Sequence, residues 1–460
     1  MAITIHQSPT DDYFVPVNNP IQYLTSSTNT AETNFKLSCK IVVGSTEVKE
    51  LLYDVIPSTA FVVAEIQRLV DSYALDNRSY VLNQSTGIVS IAPAAMAVQV
   101  TGVTRAVFQE YYSSPASSAP TYQGSQASGG VFYLWNGAFK YREWQANDWH
   151  DYSIIQDGVN EQRNAKMLSS FKHYVENASF NNTSTAQYPN ALTKSLRFKK
   201  ITPTQFNAIA YQAIGTGANN FLHTFRFYDS DLNVNTSPDP EYVQSLSNIS
   251  NIKVRFTQTF NVSVLGSADS SSMWNYIQNT VALTSSNTSY AAHFLIRGTN
   301  TAGVWRPATA VYLYEIDWNA CSKYDSYEIH WLNHLGGWDN WVFDKKSSIQ
   351  VDVQREFYTQ PKTWRIESNA IVHDEYARKK TQFSTILSER YTVNSDILKD
   401  WEYEGLTDLL QSPLVYWRHP DYGFISINIL EQSSYPIKTQ LNDKAYNLSF
   451  VFEVSNNDKL

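Results

Sequence analysis

Alternation of apolar and polar positions dominates this chain and predicts strands far more often than helices. Residues 35–43 alternate until their last positions, meet Gly44-Ser45-Thr46, and the pattern resumes over 48–53, which predicts a hairpin. Residues 254–264 place Val254, Phe256, Phe260, Val262 and Val264 on one parity, the mark of a half-buried strand. Residues 348–357 place Ile349, Val351, Val353 and Phe357 on one face, and residues 446–454 alternate cleanly through Leu448, Phe450, Phe452 and Val454. Further strands are predicted at 81–82, 88–91, 97–112, 221–228, 281–283, 292–297, 310–317, 324–331, 381–393, 414–417 and 424–430. Asn136-Gly137, between 131–135 and 138–144, predicts a type I′ hairpin.

Helical spacing is rarer. Val62, Ile66, Leu69, Val70 and Tyr73 predict a helix over 57–73 with Ser58 as N-cap. Thr202-Pro203-Thr204-Gln205 fits a capped helix start, ending by Gly215. Residues 270–279 and 400–411 complete the set, the latter with Trp401, Leu406, Leu409 and Leu410 inward. Residues 171–185 have no clear period and are expected as loop. The resulting fold class is mainly β, with antiparallel β-sandwich-type domains and a few short helices.

Punctuation divides the chain. Pro9, Pro16 and Pro20 exclude a helix from residues 1–24, which are expected as an extended N-terminal arm. Residues 25–112 are expected as a sandwich carrying one helix, and the Ser-, Ala-, Pro- and Gly-rich stretch 113–130 as a flexible linker. A large β-rich domain over 131–360 and a C-terminal β domain over 361–460 follow. At 460 residues, two or three domains are the prior in any case.

Composition narrows the function. Hydrophobic content of 43% and charged content of 17% provide real cores and exclude a disordered chain. Aromatics reach 14%, a load that suits sheets and large contact surfaces. Net charge is −8, which disfavours non-specific nucleic-acid binding. The short basic clusters Lys199-Lys200, Lys345-Lys346 and Arg378-Lys379-Lys380 read as solvated edges. Two distant cysteines, Cys39 and Cys321, read as buried free thiols and exclude a disulfide framework or a four-cysteine zinc site. No signal peptide and no membrane span are expected, because the opening residues lack a basic and an apolar region and no 18-residue apolar run exists.

No catalytic motif is specific. Gly298 to Gly303 has P-loop glycine spacing, but Val304-Trp305 replaces the required Lys-Ser/Thr. Asp229, Asp231, Asn233 and Asn235 alternate like a calcium loop, yet Val234 and Pro240 stand where Gly and Glu are needed, so an acidic turn is expected. His330 and His334, four apart along a strand end, sit about 13 Å apart and are poorly placed to share a metal. Glycosidase chemistry needs paired carboxylates beside aromatic platforms. Glu143, Asp148 and Asp151 lie near Trp144 and Trp149, and Asp317, Glu328 and Asp339 near Trp318, Trp331, Trp338 and Trp341. Core tryptophans with solvated carboxylates account for the same residues. No enzyme, metal or cofactor is expected.

The stretch 331–343 concentrates three of the twelve tryptophans around Gly336-Gly337. It reads as the tight turn of a hairpin, packed by Trp331, Trp338 and Trp341, with Asp339 or Asn340 hydrogen-bonded to the turn backbone. The alternative is an interface or glycan-stacking platform on those three indoles.

Several stretches resemble a known family. They are Val17-Asn18-Asn19-Pro20-Ile21-Gln22-Tyr23 with Ser26 to Thr30 and Asn34 to Lys36, then Ala64 to Tyr73. Towards the other end, Leu332-Asn333, Leu335-Gly336-Gly337 and Trp338-Asp339 are similar to a "Leu-Asn-x-Leu-Gly-Gly-aromatic-Asp" signature, followed by Leu409 to Tyr416 and Tyr446 to Glu453. Together they resemble virion structural proteins of tailed bacteriophages infecting Bacteroidota. The resemblance implies a non-enzymatic ring-forming component of a tail barrel, neck or baseplate, such as a tail-barrel ring of a crAss-like phage. Its partners would be copies of itself in a cyclic homo-oligomer and other tail or neck proteins. Its place would be the virion tail, after synthesis in the host cytoplasm. A host-surface receptor or glycan-binding tail protein is the alternative.

Overall fold

A computed structural model describes residues 3–9, 14–70, 98–99, 103–113, 118–146, 148–156, 165–176, 178, 180–182, 187–189, 192–215, 218–233, 242–250, 253–260, 285, 288–298, 305–319, 323–360, 364–373, 378–430 and 447–455. The elements expected at 81–82, 88–91, 270–279 and 281–283, and Cys321, lie outside these residues.

The chain opens with β1 (Ile3–Gln7), β2 (Phe14–Pro16), β3 (Gln22–Ser27), β4 (Lys36–Val43), β5 (Thr46–Tyr53), β6 (Phe61–Glu65) and the single-turn α1 (Gln67–Val70). Next come β7 (Val98–Gln99), β8 (Val103–Tyr112), β9 (Thr121–Ser128), β10 (Phe132–Trp135), α2 (Tyr141–Gln145), a 3-10 helix at Asp148–Tyr152 and β11 (Ser153–Gln156). Short strands β12 (Tyr174–Val175), β13 (Phe180–Asn182), β14 (Gln187–Pro189) and β15 (Lys199–Ile201) precede longer ones: β16 (Asn207–Gly215), β17 (Ala218–Tyr228), β18 (Tyr242–Ser250) and β19 (Lys253–Phe260). Then follow β20 (Tyr290–Gly298), β21 (Trp305–Pro307), β22 (Val311–Ile316), β23 (Tyr327–Leu332) and β24 (Trp338–Phe343). The last set is β25 (Ser348–Thr359), β26 (Trp364–Glu367), β27 (Ala370–His373), β28 (Lys380–Asn394), α3 (Asp400–Gln411), β29 (Val415–His419), β30 (Gly423–Ile429) and β31 (Ser449–Val454). The fold is mainly β with several antiparallel sheets, and among the described residues no sheet closes into a barrel.

Two compact units divide the chain. The first holds Met1–Ala320, His330–Trp341 and Glu404–Pro413. Its first core lies between the sheet β1-β3-β6 and the sheet β2-β10-β8-β4-β5. Ile3, Tyr23, Val62 and Ala64 enter from one sheet, and Leu37, Cys39, Ile41, Phe108 and Leu134 from the other. That is a sandwich, and the period of two in each strand produces it. A second sandwich core joins Ile154, Ile209, Tyr211 and Ala213 of the sheet β11-β16-β19-β7 to Phe225, Ala291, Leu295, Tyr312 and Tyr314 of the sheet β12-β22-β20-β17-β18.

The second unit holds Cys321–Ile329, Val342–Tyr403 and Leu414–Leu460. Tyr327–Ile329 of β23 and Val342–Phe343 of β24 belong to this unit with β25, β28, β29, β30 and β31, in a sheet of order β24-β23-β29-β30-β31-β28-β25. Tyr327, Tyr391, Trp417 and Phe452 form its aromatic centre, with Tyr391 stacked on Phe452 at 5.1 Å and 8°. β25 and β28 pair from Ser348↔Thr392 to Thr359↔Lys380, whereas β31 pairs only with Arg390–Asn394 of β28. Among the described residues, most of this ribbon is therefore two strands wide.

Several expectations are corrected. The expected N-terminal arm is part of the core: β1 pairs with β3, β2 runs parallel to β10, and Phe14, Val15, Val17, Ile21 and Tyr23 are buried. Proline excluded the helix but left strand pairing open on the ladder's free side. Within the expected linker, residues 121–128 form the edge strand β9 on β8. In place of a helix over 57–73 stand β6 and α1, because Val62 and Ala64 are buried at period two while β6 pairs with β3. Half of the capping box at Thr202 forms: the Thr202 amide donates to Gln205 Oε1 at 3.1 Å, while the Gln205 amide donates to the Thr202 carbonyl at 3.3 Å and closes a turn that leads into β16. β10 ends at Trp135, and residues 141–145 turn into α2 rather than a returning strand.

Candidate functional site

The tryptophan-rich turn is an interior joint of the first unit. Gly336 has φ of 73°, and its amide donates to the Asn333 carbonyl at 2.9 Å, closing the turn. Asn333 Oδ1 accepts from the Gly337 amide at 2.9 Å, and Asn333 Nδ2 donates to the Leu168 carbonyl at 2.9 Å and to Asp339 at 2.7 Å. A Cβ on Gly337 would lie 1.8 Å from the Leu168 carbonyl oxygen, so only glycine fits. Trp135 Nε1 donates to the Leu335 carbonyl at 2.9 Å. Turn and hairpin are as expected, but Asn333, and not Asp339 or Asn340, caps the turn backbone.

Asp339 is buried and accepts from the Ser169 and Ser170 hydroxyls at 2.5 and 2.7 Å and the Ser170 amide at 2.8 Å, besides Asn333. Such a carboxylate organises a loop and has no room for a substrate. Trp331, Trp338 and Trp341 are 0, 1 and 7% exposed. Phe171 packs edge-on to Trp331 at 6.0 Å and stacks on Trp341 at 5.5 Å. None of the three indoles offers a face to a ligand. Lys199, expected at a solvated edge, is buried instead, 4.6 Å from the Phe171 ring centroid and 3.3 Å from Asn340 Oδ1. His173 is fully inside the same region, against Tyr312 and Tyr314, and its burial, aided by Lys199, holds its pKa well below the usual histidine range.

The other candidate carboxylates are committed singly. Glu143 accepts from the Lys140 amide at 3.2 Å at the start of α2. Asp151 pairs with Lys166 at 3.1 Å, Asp317 with Lys200 at 2.9 Å, and Glu328 with Arg418 at 2.9 Å. The Asp148 side chain lies outside the described residues. His330 is buried, while His334 is at the turn surface bonded to Asp408. Among the described residues no group of three or more His, Cys, Asp or Glu side chains could hold a metal. Asp229 accepts from the amides of Asp231 and Asn233 at 2.8 and 2.9 Å, the expected acidic turn. Positions 235 and 240 of that motif, and Gly303 of the P-loop-like spacing, are outside the description. Trp144 and Trp149 stack at 5.5 Å and line a cavity of about 680 Å³ with Gln7, Gln22 and Gln145. Among the described residues its lining carries no carboxylate.

What the alternation located but did not interpret is the β25–β28 ribbon of the second unit. Eleven large apolar side chains between Ile349 and Leu387 are 43–67% exposed. The ladder register sorts the paired strands into two faces. Ile349, Val351 and Val353 stand with Tyr391, Glu389 and Leu387 on one face; Gln350, Asp352, Gln354 and Glu356 stand with Arg390, Ser388, Ile386 and Ser384 on the other. Arg390 and Asp352 pair at 2.8 Å on the polar face. Between the two strands in sequence, β26 and β27 form a second hairpin with Trp364, Ile366 and Ile371 exposed. Its Ser368-Asn369 turn has φ of 49° and 63°, the two positive values of a type I′ turn.

No protein-family model matches the chain, and no curated protein matches it. Among the described residues no helix is long and apolar enough to cross a membrane.

Proposed function

We propose that this protein is a non-enzymatic structural subunit that works by assembly. The observation that carries the reading is the β25–β28 ribbon, an amphipathic two-stranded element whose apolar face is open to solvent. Isolated two-stranded ribbons are marginal in water, and exposed apolar patches of this extent mark protein contacts. The candidate carboxylates, by contrast, are occupied in ion pairs, caps and a buried loop joint.

The narrower reading is a ring-forming component of a bacteriophage tail, supported by the resemblance of the stretches at 17–36, 64–73, 332–339, 409–416 and 446–453. A ring of identical subunits closes on itself and removes the open edges that β25 and its ribbon present. Mass spectrometry of purified phage particles carrying the gene, with a cryo-EM map of their tails, tests it. Stoichiometric presence in a ring layer is the expected result; absence of the chain from intact particles contradicts it.

A further inference from the structure

We infer that the cavity lined by Trp144 and Trp149 is a binding site for a neutral saccharide. The site lies within the first unit and does not rest on the assembly reading. Its size, its aromatic wall and its polar groups carry the inference.

A volume of about 680 Å³ falls within the range of small-ligand sites, about 300–1,000 Å³. The walls come from four places in the chain: the end of β1 with the residues after it, β2, the start of β3, and α2 with the 3-10 helix that follows. The β1–β3 ladder slips between Ile5↔Thr25 and Gln7↔Leu24, so β1 carries a bulge at His6. A bulge re-aims the side chains of its strand, and Gln7, just past it, lines the cavity.

The aromatic wall is in place before any ligand arrives. Trp149 is buried, stacked with Trp144 at 5.5 Å and 22° and edge-on to the His150 ring at 3.9 Å. Trp144 is half-buried, and its amide donates to the Lys140 carbonyl at 2.9 Å within α2. An indole fixed in this way loses little freedom on binding. The C–H bonds of a pyranose ring are polarised by the neighbouring oxygens and suit the negative face of an indole.

Gln7, Gln22 and Gln145 bring three carboxamides to the lining, and Ser8 a hydroxyl. Each of these groups both donates and accepts hydrogen bonds, as every sugar hydroxyl does. Glu65 accepts from Gln22 Nε2 at 3.2 Å and orients that amide. Among the described residues the lining carries no Lys, Arg, Asp or Glu, so it presents no ion-pair partner to a phosphate, a uronate or an ammonium group. A purely apolar ligand would strip water from the amides without replacing their hydrogen bonds. A polyproline helix docks between separate aromatic ridges, whereas the two indoles here are stacked into one.

The test is calorimetry on the full chain with maltohexaose, cellohexaose, mannohexaose and N-acetylchitohexaose, each to about 10 mM, beside oligogalacturonate and decaproline. At least one neutral oligosaccharide is expected to bind. Trp144→Ala is expected to weaken that binding about tenfold or more. Gln7→Ala/Gln145→Ala, at two exposed positions, is expected to weaken it about fivefold or more. Circular dichroism checks both variants, and where Trp144→Ala fails to fold the glutamine pair decides. Three results would overturn the inference: no neutral oligosaccharide bound by the folded wild type, binding unchanged in the folded variants, or tighter binding of oligogalacturonate or decaproline than of any neutral sugar.

Discussion

Asn333 fixes the turn with one side chain, accepting from Gly337 and donating to Leu168 and Asp339. The turn can form only because residue 337 leaves space for the Leu168 carbonyl. Gly337→Ala is therefore expected to destabilise the protein by about 3 kcal/mol or more, read as a lower urea midpoint, whereas a substitution at exposed Gly124 with nothing near it would act only through its positive φ. His173 makes a second residue-scale prediction. Its folded pKa lies below the unfolded value of 6.5, so the folded state binds fewer protons. Its contribution is fully present above pH 6.5 and is lost as pH falls below it, with a slope of up to about 1.4 kcal/mol per pH unit. His173→Gln is expected to flatten that slope in urea unfolding measured from pH 7 to pH 5. The sequence exposed the Gly-Gly turn and its tryptophans as one packed object. It could not expose Ser169 and Ser170 as the partners of Asp339, because hydrogen bonds spanning 170 residues leave no local pattern.

Elements were legible where one period ruled. The β4–β5 hairpin, β25 and the helix at Asp400–Gln411 stand where alternation or helical spacing puts them. Failures came where two periods share residues. Val62, Ile66 and Val70 suit a helix, but Val62, Ala64 and Ile66 suit a strand equally, and pairing with β3 decided for β6. At Thr202 the cap signal was real but local, and the register of β16 against β19 overrode it. The Ser368-Asn369 turn carries an element-scale prediction. Serine at positive φ is strained, and Asn-Gly is the preferred pair for this geometry. Ser368→Asn/Asn369→Gly is expected to stabilise the hairpin by about 1 kcal/mol, seen as slower hydrogen exchange at Glu367 and Ala370. Unchanged or faster exchange would mean the turn is not type I′.

For the whole molecule, the alternation at 348–357 showed a strand with an apolar face but could not say what the face meets. Periodicity reports sidedness, and only the assembled ladder shows that the chain itself leaves this side at 45% exposure or more at Ile349, Val351 and Val353. The first unit buries aromatic residues in its own cores; the second leaves part of its apolar surface exposed. That contrast makes assembly the central claim. The most direct measurement is sedimentation velocity of the full chain over about 1–50 µM, beside Val351→Lys/Val353→Lys. The account predicts concentration-dependent multimers for the wild type and the mass of a single folded chain for the variant. A single-chain mass for both would contradict assembly of the chain with itself, and the same multimer for both would contradict the ribbon as its contact.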